Sequence, residues 1–235
     1  MLNLGNTDFV LAIPSIPEHE LSQLSLSLFD LWEKRIEIAV PVPDYSLFLE
    51  VENGSIKGSG KILSAVQTTV QAVVLIGGFA SGIEYINMSL RFAHRELPSL
   101  AGQVFGAPST NITFKSSKSD INYICNIFES VRKRKLDITV AMAKIQLKFG
   151  AEVTSNPEFM KILAEALEAC DHYPEQAQFP FTNDHDDLDL KSDSTPDKPR
   201  RNKTPIPNFP SQMQIRVEVW RESKNKPKQS RIIKS

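Results

Sequence analysis

The sequence has 235 residues, of which 41% are hydrophobic, which is enough for one domain with a packed core plus tails. The formal net charge is −1, but from Lys191 onward 12 Lys and Arg stand against 4 Asp and Glu, a net charge of +8 that leaves −9 on the remainder. We therefore expect a basic tail that binds an acidic partner or folds against its own acidic body. The N-terminus has no basic segment followed by an apolar core, which argues against a signal peptide and favours a cytoplasmic protein.

The cysteine and histidine patterns exclude several classes of site. The two cysteines, Cys125 and Cys170, form no CxxC pair and no zinc-type spacing with histidine, and two thiols make no disulfide framework. Both lie in helix-like apolar contexts, so we expect buried free thiols. No GxSxG or HExxH motif is present, and the four histidines have no motif around them. We therefore expect no catalytic residues, no metal and no cofactor, and an enzyme is the least favoured class.

The first 60 residues predict a small β-α-β-β module. The predicted elements are a strand over 8–14, a helix from about 15–17 to 34, and strands over 35–40 and 45–52. Asn53-Gly54 is a strong turn signal. Residues 55–60 then continue either as a hairpin partner or as a flexible loop.

The longest uncharged stretch, Ile62–Ile83, predicts a long central apolar helix within a segment that we bound at 61–97. At 1.5 Å per residue its 22 residues span about 33 Å, close to the hydrocarbon thickness of a bilayer. Three interpretations stay open: a pore-forming segment, a buried core helix of a soluble domain, and a simple membrane anchor.

The polar side chains of this stretch are not scattered. Four of them recur at i, i+3, i+4 and i+7 and so share one face of the predicted helix: Ser64, Gln67, Thr68 and Gln71. Gly78 and Gly82 form a GxxxG, a spacing that lets two helices approach closely. One apolar face and one uncharged polar face suit a helix that lines an aqueous pore in an oligomer. We therefore take the four polar residues as candidate pore-lining residues and the two glycines as helix-packing residues.

The second half of the chain predicts a mostly helical region over 98–172, with one short strand over 111–115. Ser119-Asp120 and Asn156-Pro157 are typical helix starts, and Gly150 is a typical helix end. Residues 173–210 are rich in proline and contain an acidic block, which predicts a disordered linker.

The last segment, 211–235, predicts a strand followed by a basic tail. Ile215, Val217 and Val219 alternate with polar or aromatic residues, which is the clearest strand pattern in the chain. Such a strand needs a sheet edge, either in its own N-terminal module or in a neighbouring copy.

Two groups of cations are candidate anion sites. Four consecutive cations, Arg132, Lys133, Arg134 and Lys135, are the candidate ligand-binding residues for the phosphates of a nucleotide or single-stranded oligonucleotide. We place them at the start of a helix, where the dipole disfavours cations and a bound anion is attractive; the alternative is a solvated charged face. Arg91 and Arg95, four residues apart near the end of the apolar segment, would contact lipid phosphates or cap a soluble helix.

Two short motifs carry a resemblance to a known group of proteins. Glu52-Asn-Gly-Ser-Ile-Lys57 and Ile76-Gly-Gly-Phe-Ala-Ser-Gly-Ile-Glu-Tyr-Ile86 resemble a pattern of uncharacterised bacterial proteins that are similar to membrane-acting antiphage effectors of the Hailong type. In that type the effector is paired with a nucleotidyltransferase. The resemblance covers about 35 residues and brings no catalytic residues. It implies a channel-like effector that is held inactive and regulated by a nucleotide-derived ligand.

Together these patterns predict an α+β protein with a β-α-β-β N-terminal module, a long central apolar helix, a helical C-terminal half and a late C-terminal strand. The leading functional hypothesis is a homo-oligomeric, membrane-disrupting or channel-forming effector of bacterial antiphage defence. It would be cytoplasmic at rest, enter the inner membrane on activation, and be gated by a nucleotide or oligonucleotide. The alternative is a soluble interaction or nucleic-acid-binding protein whose apolar stretch is a buried core helix.

Overall fold

The structure, a computed structural model, describes residues 1–75, 79–117, 119–154, 156–170 and 214–234. The chain divides into two compact units. The described residues all belong to the first, which consists of Met1–His172 and Met213–Ser235. The second, Tyr173–Gln212, contains the predicted linker and lies outside the described residues.

The described part of the chain forms six strands and six helices, together with a short 3₁₀ turn at Ser109–Asn111. In chain order these are β1 (Leu2–Leu11), α1 (Glu18–Ala39), β2 (Ser46–Glu52), β3 (Ile56–Ser64), α2 (Val66–Leu75), α3 (Phe79–Val104), β4 (Ile112–Ser116), α4 (Asp120–Arg132), α5 (Ile138–Thr154), α6 (Pro157–Glu168), β5 (Ile215–Arg221) and β6 (Gln229–Lys234).

The strands form one antiparallel sheet in the order β4-β1-β3-β2-β5-β6. The first four strands form the part β4-β1-β3-β2 of this sheet, in which β3 lies between β1 and β2. In chain order, α1 connects β1 to β2, and helices connect β3 to β4. This is the split β-α-β arrangement. The late strand β5 extends this sheet by pairing with β2 of the N-terminal module. The predicted α+β class is therefore confirmed.

One predicted strand of the N-terminal module is wrong. Residues 35–39 belong to α1, in which Ile36 is fully buried while Ile38 is 82% exposed. Ile36 and Ile38 are two positions apart, which fits one face of a strand. In the structure they lie on opposite sides of a helix, because α1 continues to Ala39. The third strand is instead β3, the hairpin partner expected after Asn53-Gly54, which pairs with both β1 and β2.

Alternate residues of the strands point to a face of the sheet that we call the inner face, against which α1, α3 and α4 pack. Leu47, Leu49 and Val51 of β2 are buried there, while the residues between them are half-exposed. Trp32 of α1 is fully buried over β3. A Cβ atom added at Gly60 would lie 2.9 Å from the Trp32 ring, so glycine lets the helix approach the sheet this closely.

The structure does not show the long central apolar helix that we expected over Ile62–Ile83. Ile62 and Ser64 are the final residues of β3, where they pair with Gly5 and Leu2 of β1. After β3, the described residues form α2 over Val66–Leu75 and α3 from Phe79 onward, and residues 76–78 between them lie outside the described residues. The expectation failed because the start of the stretch alternates between buried and half-exposed positions that suit a strand, and β1 offers it a partner. The predicted boundaries at 60 and 97 consequently fall inside β3 and α3.

The helix-start signals of the second half are confirmed. Ser119 Oγ accepts a hydrogen bond from Asn122 N at 2.9 Å, and Asn156 Oδ1 accepts one from Phe159 N at 3.1 Å. α5 is interrupted at Gly150, whose φ is +60°. α3 differs from expectation because it continues through Pro98, which we expected to lie beyond its end, as far as Val104.

The C-terminal residues 214–234 fold against the acidic body of the same chain. The β5–β6 hairpin faces α1 through Arg221–Glu33 at 2.8 Å and Lys224–Glu37 at 2.9 Å. Lys234 of β6 pairs with Glu18 at 2.8 Å. The expected basic tail is thus a second strand, held by carboxylates of the first helix.

Candidate functional site

A cavity of about 460 Å³ lies between α3, β4 and the beginning of α4. Its volume falls within the range of about 300–1,000 Å³ that is typical of small-molecule sites. Polar groups converge on it from all three elements. They comprise two arginines and Asn87 from α3, two serines from β4 and the residue after it, and Ser119 and Asn122 at the start of α4.

The charge of this cavity is positive. Arg91 and Arg95 lie four residues apart and so share one side of α3. Arg91 Nη2 donates to Asn122 Oδ1 at 2.9 Å. Arg95 is exposed and has no hydrogen-bond or ion-pair partner within the described ranges. No acidic side chain is among the described residues that line the cavity, so the site favours an anion.

Hydroxyl groups complete an anion-binding arrangement. Ser119 Oγ accepts from Asn122 N as the N-cap of α4, which leaves its O–H free to donate. The N-terminus of α4 adds the positive end of a helix dipole. The carboxylate of Asp120, the residue after Ser119, accepts a hydrogen bond from Asn3 N at 2.7 Å.

An aromatic ring borders the cavity. Phe114 of the edge strand β4 lies on the inner side of the sheet, opposite Phe9 of β1, and 55% of it is exposed. An exposed phenyl ring beside two arginines offers a flat surface on which a ring of the ligand can stack.

His94 forms the floor of the cavity and is held in its neutral form. It is 5% exposed; Nδ1 lies 2.8 Å from Thr7 Oγ1, and Nε2 lies 3.3 Å from the Leu4 carbonyl oxygen. Burial lowers the pKa of His94, and the hydrogen bond to Leu4 offsets this only in part. A neutral ring satisfies both contacts when Nε2–H donates to Leu4 and Nδ1 accepts from the Thr7 hydroxyl.

The ring of His94 needs a glycine beneath it. Gly5 has φ +140°, a conformation that side chains rarely adopt, and sits where the register of β1 against β3 shifts. A Cβ atom there would lie 2.1 Å from His94 Nε2. The glycine and the register shift therefore position the histidine.

The structure divides the candidate pore-lining residues between two elements. Ser64 is buried in β3 and donates to the Asp44 carbonyl oxygen at 3.1 Å, so it does not belong to a helical polar face. Gln67 is exposed and Thr68 half-exposed on α2. Gln71 also belongs to α2, but its side chain lies outside the described part. Thr69 of α2 is also buried, and its hydroxyl donates to the Ala65 carbonyl oxygen at 3.1 Å.

The two helix-packing glycines have different outcomes. Gly82 is buried on α3. Gly78 lies outside the described residues, so the predicted GxxxG pair stays a prediction.

The cation cluster lies at the end of a helix and not at the start of one. Arg132 is the last residue of α4, and Lys133 is its C-cap. The helix dipole favours cations there, so our argument for a compensating anion is wrong. The cations form ion pairs within the protein: Arg132 Nη1 lies 3.5 Å from Glu129 Oε1 and 3.3 Å from Glu84 Oε1 of α3. Lys133 Nζ lies 3.2 Å from Glu129 Oε2.

Sequence reasoning found part of the cavity. It singled out Arg91 and Arg95, but assigned them to lipid phosphates or helix capping. It missed Phe114 and His94, since a lone aromatic and a lone histidine carry no motif. The sequence also marked Ser119, but only as the start of a helix; the N-terminus of that helix is a place where an anion is favoured.

Exposed apolar side chains lie beside the two arginines on α3. Tyr85, Met88 and Phe92 recur at i, i+3 and i+7 and are 46%, 62% and 52% exposed. Singly exposed apolar residues are ordinary, whereas a row of them on one helix is typical of a contact surface.

Within the described ranges, no helix combines the length and apolar character needed to cross a bilayer. The same residues contain no cluster of three or more His, Cys, Asp or Glu placed to hold a metal ion. No protein-family model matches this chain, no curated protein matches its sequence, and no solved structure matches its fold.

Proposed function

We propose that this protein binds a phosphate-bearing ligand with an aromatic ring, such as a nucleotide or the end of a single-stranded oligonucleotide, in the cavity between α3, β4 and α4. The observation that carries the proposal is the combination of two arginines with an exposed phenyl ring around a cavity that has no carboxylate among its described lining residues.

In this proposal Arg95 supplies the main contact to the phosphate because its guanidinium is unpaired within the described ranges. Arg91 and the hydroxyl of Ser119 add donors on the same side. Phe114 stacks on the base, a contact that tolerates different bases. We therefore expect binding that depends on charge and weakens with added salt, with modest preference among bases.

We assign no reaction step to the cavity. His94, the titratable base among the described lining residues, has both ring nitrogens within hydrogen-bond distance of protein groups. It is therefore not free to accept a proton from a ligand.

The test is fluorescence anisotropy with labelled ATP and a labelled single-stranded hexanucleotide. Arg95→Ala should weaken binding at least ten-fold, because a charge-assisted hydrogen bond contributes about 1.5–3 kcal/mol. Lys148→Ala is the matched control, since it removes one exposed cation from α5, away from the cavity. Phe114→Ala should also weaken binding, whereas Phe114→Tyr keeps the ring and should retain it.

Two results would contradict the proposal. One is that Arg95→Ala and Lys148→Ala weaken binding equally, which would show that the probes bind by general electrostatic attraction and not in the cavity. The other is no binding of either probe at millimolar concentration and low salt.

The exposed row on α3 favours a second candidate function, that of a homo-oligomeric membrane-disrupting effector. We propose that Tyr85, Met88 and Phe92 form the surface that first meets the inner membrane. In this candidate the cytoplasmic protein is held inactive by the bound nucleotide, which a nucleotidyltransferase partner supplies. α3 carries both the arginines and the apolar row, so a ligand that binds the resting conformation more tightly would restrain this helix.

The structure sharpens the test of this second candidate. Deleting residues 62–83 would remove the end of β3 and damage the sheet, so loss of activity would be uninterpretable. The double variant Met88→Glu/Phe92→Glu changes only exposed positions, and Leu147→Glu, 87% exposed on α5, is the control. Depolarisation of bacterial membranes by the wild type and the control but not by the double variant would support the effector. Depolarisation that persists in the double variant would exclude this surface.

A further inference from the structure

A second cavity, of about 420 Å³, lies between α1, the residue before β2 and the end of β5, and it shares no described lining residue with the cavity at α3. Its lining is rich in charge of both signs. The charged residues are the carboxylates Asp30, Glu33 and Glu37 and the cations Lys34, Arg221 and Lys224. The formal charges of these described lining residues cancel.

Three buried polar atoms of this cavity have no hydrogen-bond partner among the described residues. They are the hydroxyl oxygen of Tyr45, Nε of Arg221 and Oε1 of Glu33. Tyr45 is only 2% exposed. Arg221 Nη1 lies 2.8 Å from Glu33 Oε1, but this ion pair lacks the alignment of a hydrogen bond. Buried polar groups are nearly always hydrogen-bonded, so three such atoms around one cavity indicate a place for a bound molecule.

The three atoms differ in the hydrogen bonds that they can make. Nε–H of Arg221 can only donate, whereas the ionised carboxylate of Glu33 can only accept. Burial raises the pKa of Tyr45, and the neighbouring Glu33 and Glu37 raise it further, so its hydroxyl stays protonated and can donate. The cavity therefore offers two donors to an acceptor of the ligand and one acceptor to a donor of the ligand.

We propose that this cavity binds a small zwitterion whose carboxylate and ammonium groups are adjacent, as they are in a free α-amino acid. The ligand carboxylate accepts hydrogen bonds from Tyr45 and from Nε of Arg221, and the ligand ammonium donates to Glu33. Burial raises the pKa of Glu33, and Arg221 opposes this shift. A bound ammonium group acts in the same direction as Arg221 and favours the ionised carboxylate.

The charges of the cavity favour a zwitterion over other small ligands. A simple anion would satisfy Tyr45 and Arg221 but would lie beside three carboxylates, and a simple cation would leave both donors unpaired. The described carboxylates are not placed to hold a metal ion. A peptide carries its ammonium and carboxylate at opposite ends, whereas a free amino acid carries both on one carbon atom.

The experiment is a thermal unfolding series of the dialysed full chain with each of the common L-amino acids at millimolar concentration, followed by calorimetric titration of those that act. At least one amino acid should raise the unfolding midpoint, and the rise should grow with its concentration. Acetate and methylammonium, which carry one charged group each, should have little effect alone.

Conservative variants locate the binding. Tyr45→Phe should weaken affinity at least ten-fold, while the midpoint without ligand stays the same or rises, because a buried unpaired hydroxyl is removed. Arg221→Lys keeps a cation beside Glu33 but lacks Nε–H, so it should weaken affinity as well. Tyr123→Phe and Arg35→Lys make the same changes at residues that do not line the cavity and should leave affinity unchanged.

Four results would overturn the proposal. The first is that none of the amino acids binds, and the second is that binding persists in both Tyr45→Phe and Arg221→Lys. The third is that acetate stabilises the protein as much as any amino acid, which would assign the cavity to an anion. The fourth is that Tyr45→Phe lowers the midpoint without ligand, which would assign the hydroxyl to an ordered water. Amino acid binding should persist in Arg95→Ala, and its loss there would place the ligand in the cavity at α3 and count against the proposal.

Discussion

The two faces of the sheet are made by alternate residues of the same strands, yet they obey different constraints. On the inner face of β3, Gly58 and Gly60 lie against aromatic rings, and an added Cβ atom would fall 2.1 Å from Phe9 Cζ and 2.3 Å from Leu97 Cδ2. On the opposite face of the same strand, which we call the outer face, Ser59 and the two lysines beside it face none of the described helices. The inner positions are therefore fixed by packing, whereas the outer positions are free to serve recognition.

The two tryptophans give the largest contrast between the faces. Trp32 is fully buried between α1 and the sheet, while Trp220 is half-exposed on the outer face. Trp32→Ala should reduce the free energy of unfolding by about 3–5 kcal/mol, because it leaves a cavity in the core. Trp220→Ala should cost at most about 1 kcal/mol. Urea denaturation of both variants measures the difference, and similar losses would show that the outer face is packed.

Adjacent residues of β3 test the same contrast at a smaller scale. Gly60→Ala should destabilise the fold by about 1–3 kcal/mol, since the new methyl group meets the ring of Trp32 and the side chain of Leu97. Ser59→Ala, one residue away on the outer face, should change the free energy of unfolding by no more than about 0.5 kcal/mol. Thermal or urea unfolding checks both. A neutral Gly60→Ala would mean that α1 and α3 can move away from the sheet.

The buried histidine of the inner face makes stability depend on pH. The pKa of His94 is lowered in the folded state by burial, so the folded protein binds this proton less readily than the unfolded chain, whose value is about 6.5. The contribution of neutral His94 to the free energy of unfolding is fully present above the pKa of the unfolded chain. It is lost as the pH falls from there towards the lower pKa that His94 has in the folded protein. The slope contributed by this one group is at most about 1.4 kcal/mol per pH unit.

The matched variant for this prediction is His94→Gln, which keeps a polar side chain but does not titrate. Glu33 and Glu50 have pKa values raised mainly by burial, so their protonation at lower pH favours the folded state and opposes the histidine. The measurement is therefore the difference in unfolding free energy between wild type and variant from pH 8 to pH 5. A difference that does not change with pH would show that His94 is protonated equally in both states.

Much of the sheet was predictable because its signals are local. The turn Asn53-Gly54 and the alternation over Ile215–Arg221 act through neighbouring residues, and both gave the correct elements. The stretch 62–83 was misread because its composition is compatible with several structures. Its first residues join a strand only because β1 is present beside them, and that pairing is not visible in local sequence.

The cavity was less predictable than the sheet. Arg91 and Arg95 were visible as a pair at helical spacing, but the residues that meet them come from β4 and α4, 19 or more positions later in the chain. His94 gave no signal, because its environment depends on Gly5 and the register shift of β1. Sites assembled from several elements require the fold before their residues can be grouped.

The ion pair between Lys224 and Glu37 of α1 lies at the exposed margin of the inner face and should contribute least. Lys224 and Glu37 are 2.9 Å apart with 36% and 49% of their side chains exposed, so water screens their attraction. Lys224→Ala should change the free energy of unfolding by no more than about 0.5 kcal/mol, since the backbone N–H of Lys224 still donates to Asp44. A double-mutant cycle with Glu37→Ala measures the coupling. A coupling energy well above 1 kcal/mol would show that the β5–β6 hairpin depends on its ion pairs. A small coupling energy would show that the hairpin is held mainly by the hydrogen bonds between β2 and β5 and by the buried valines of β5.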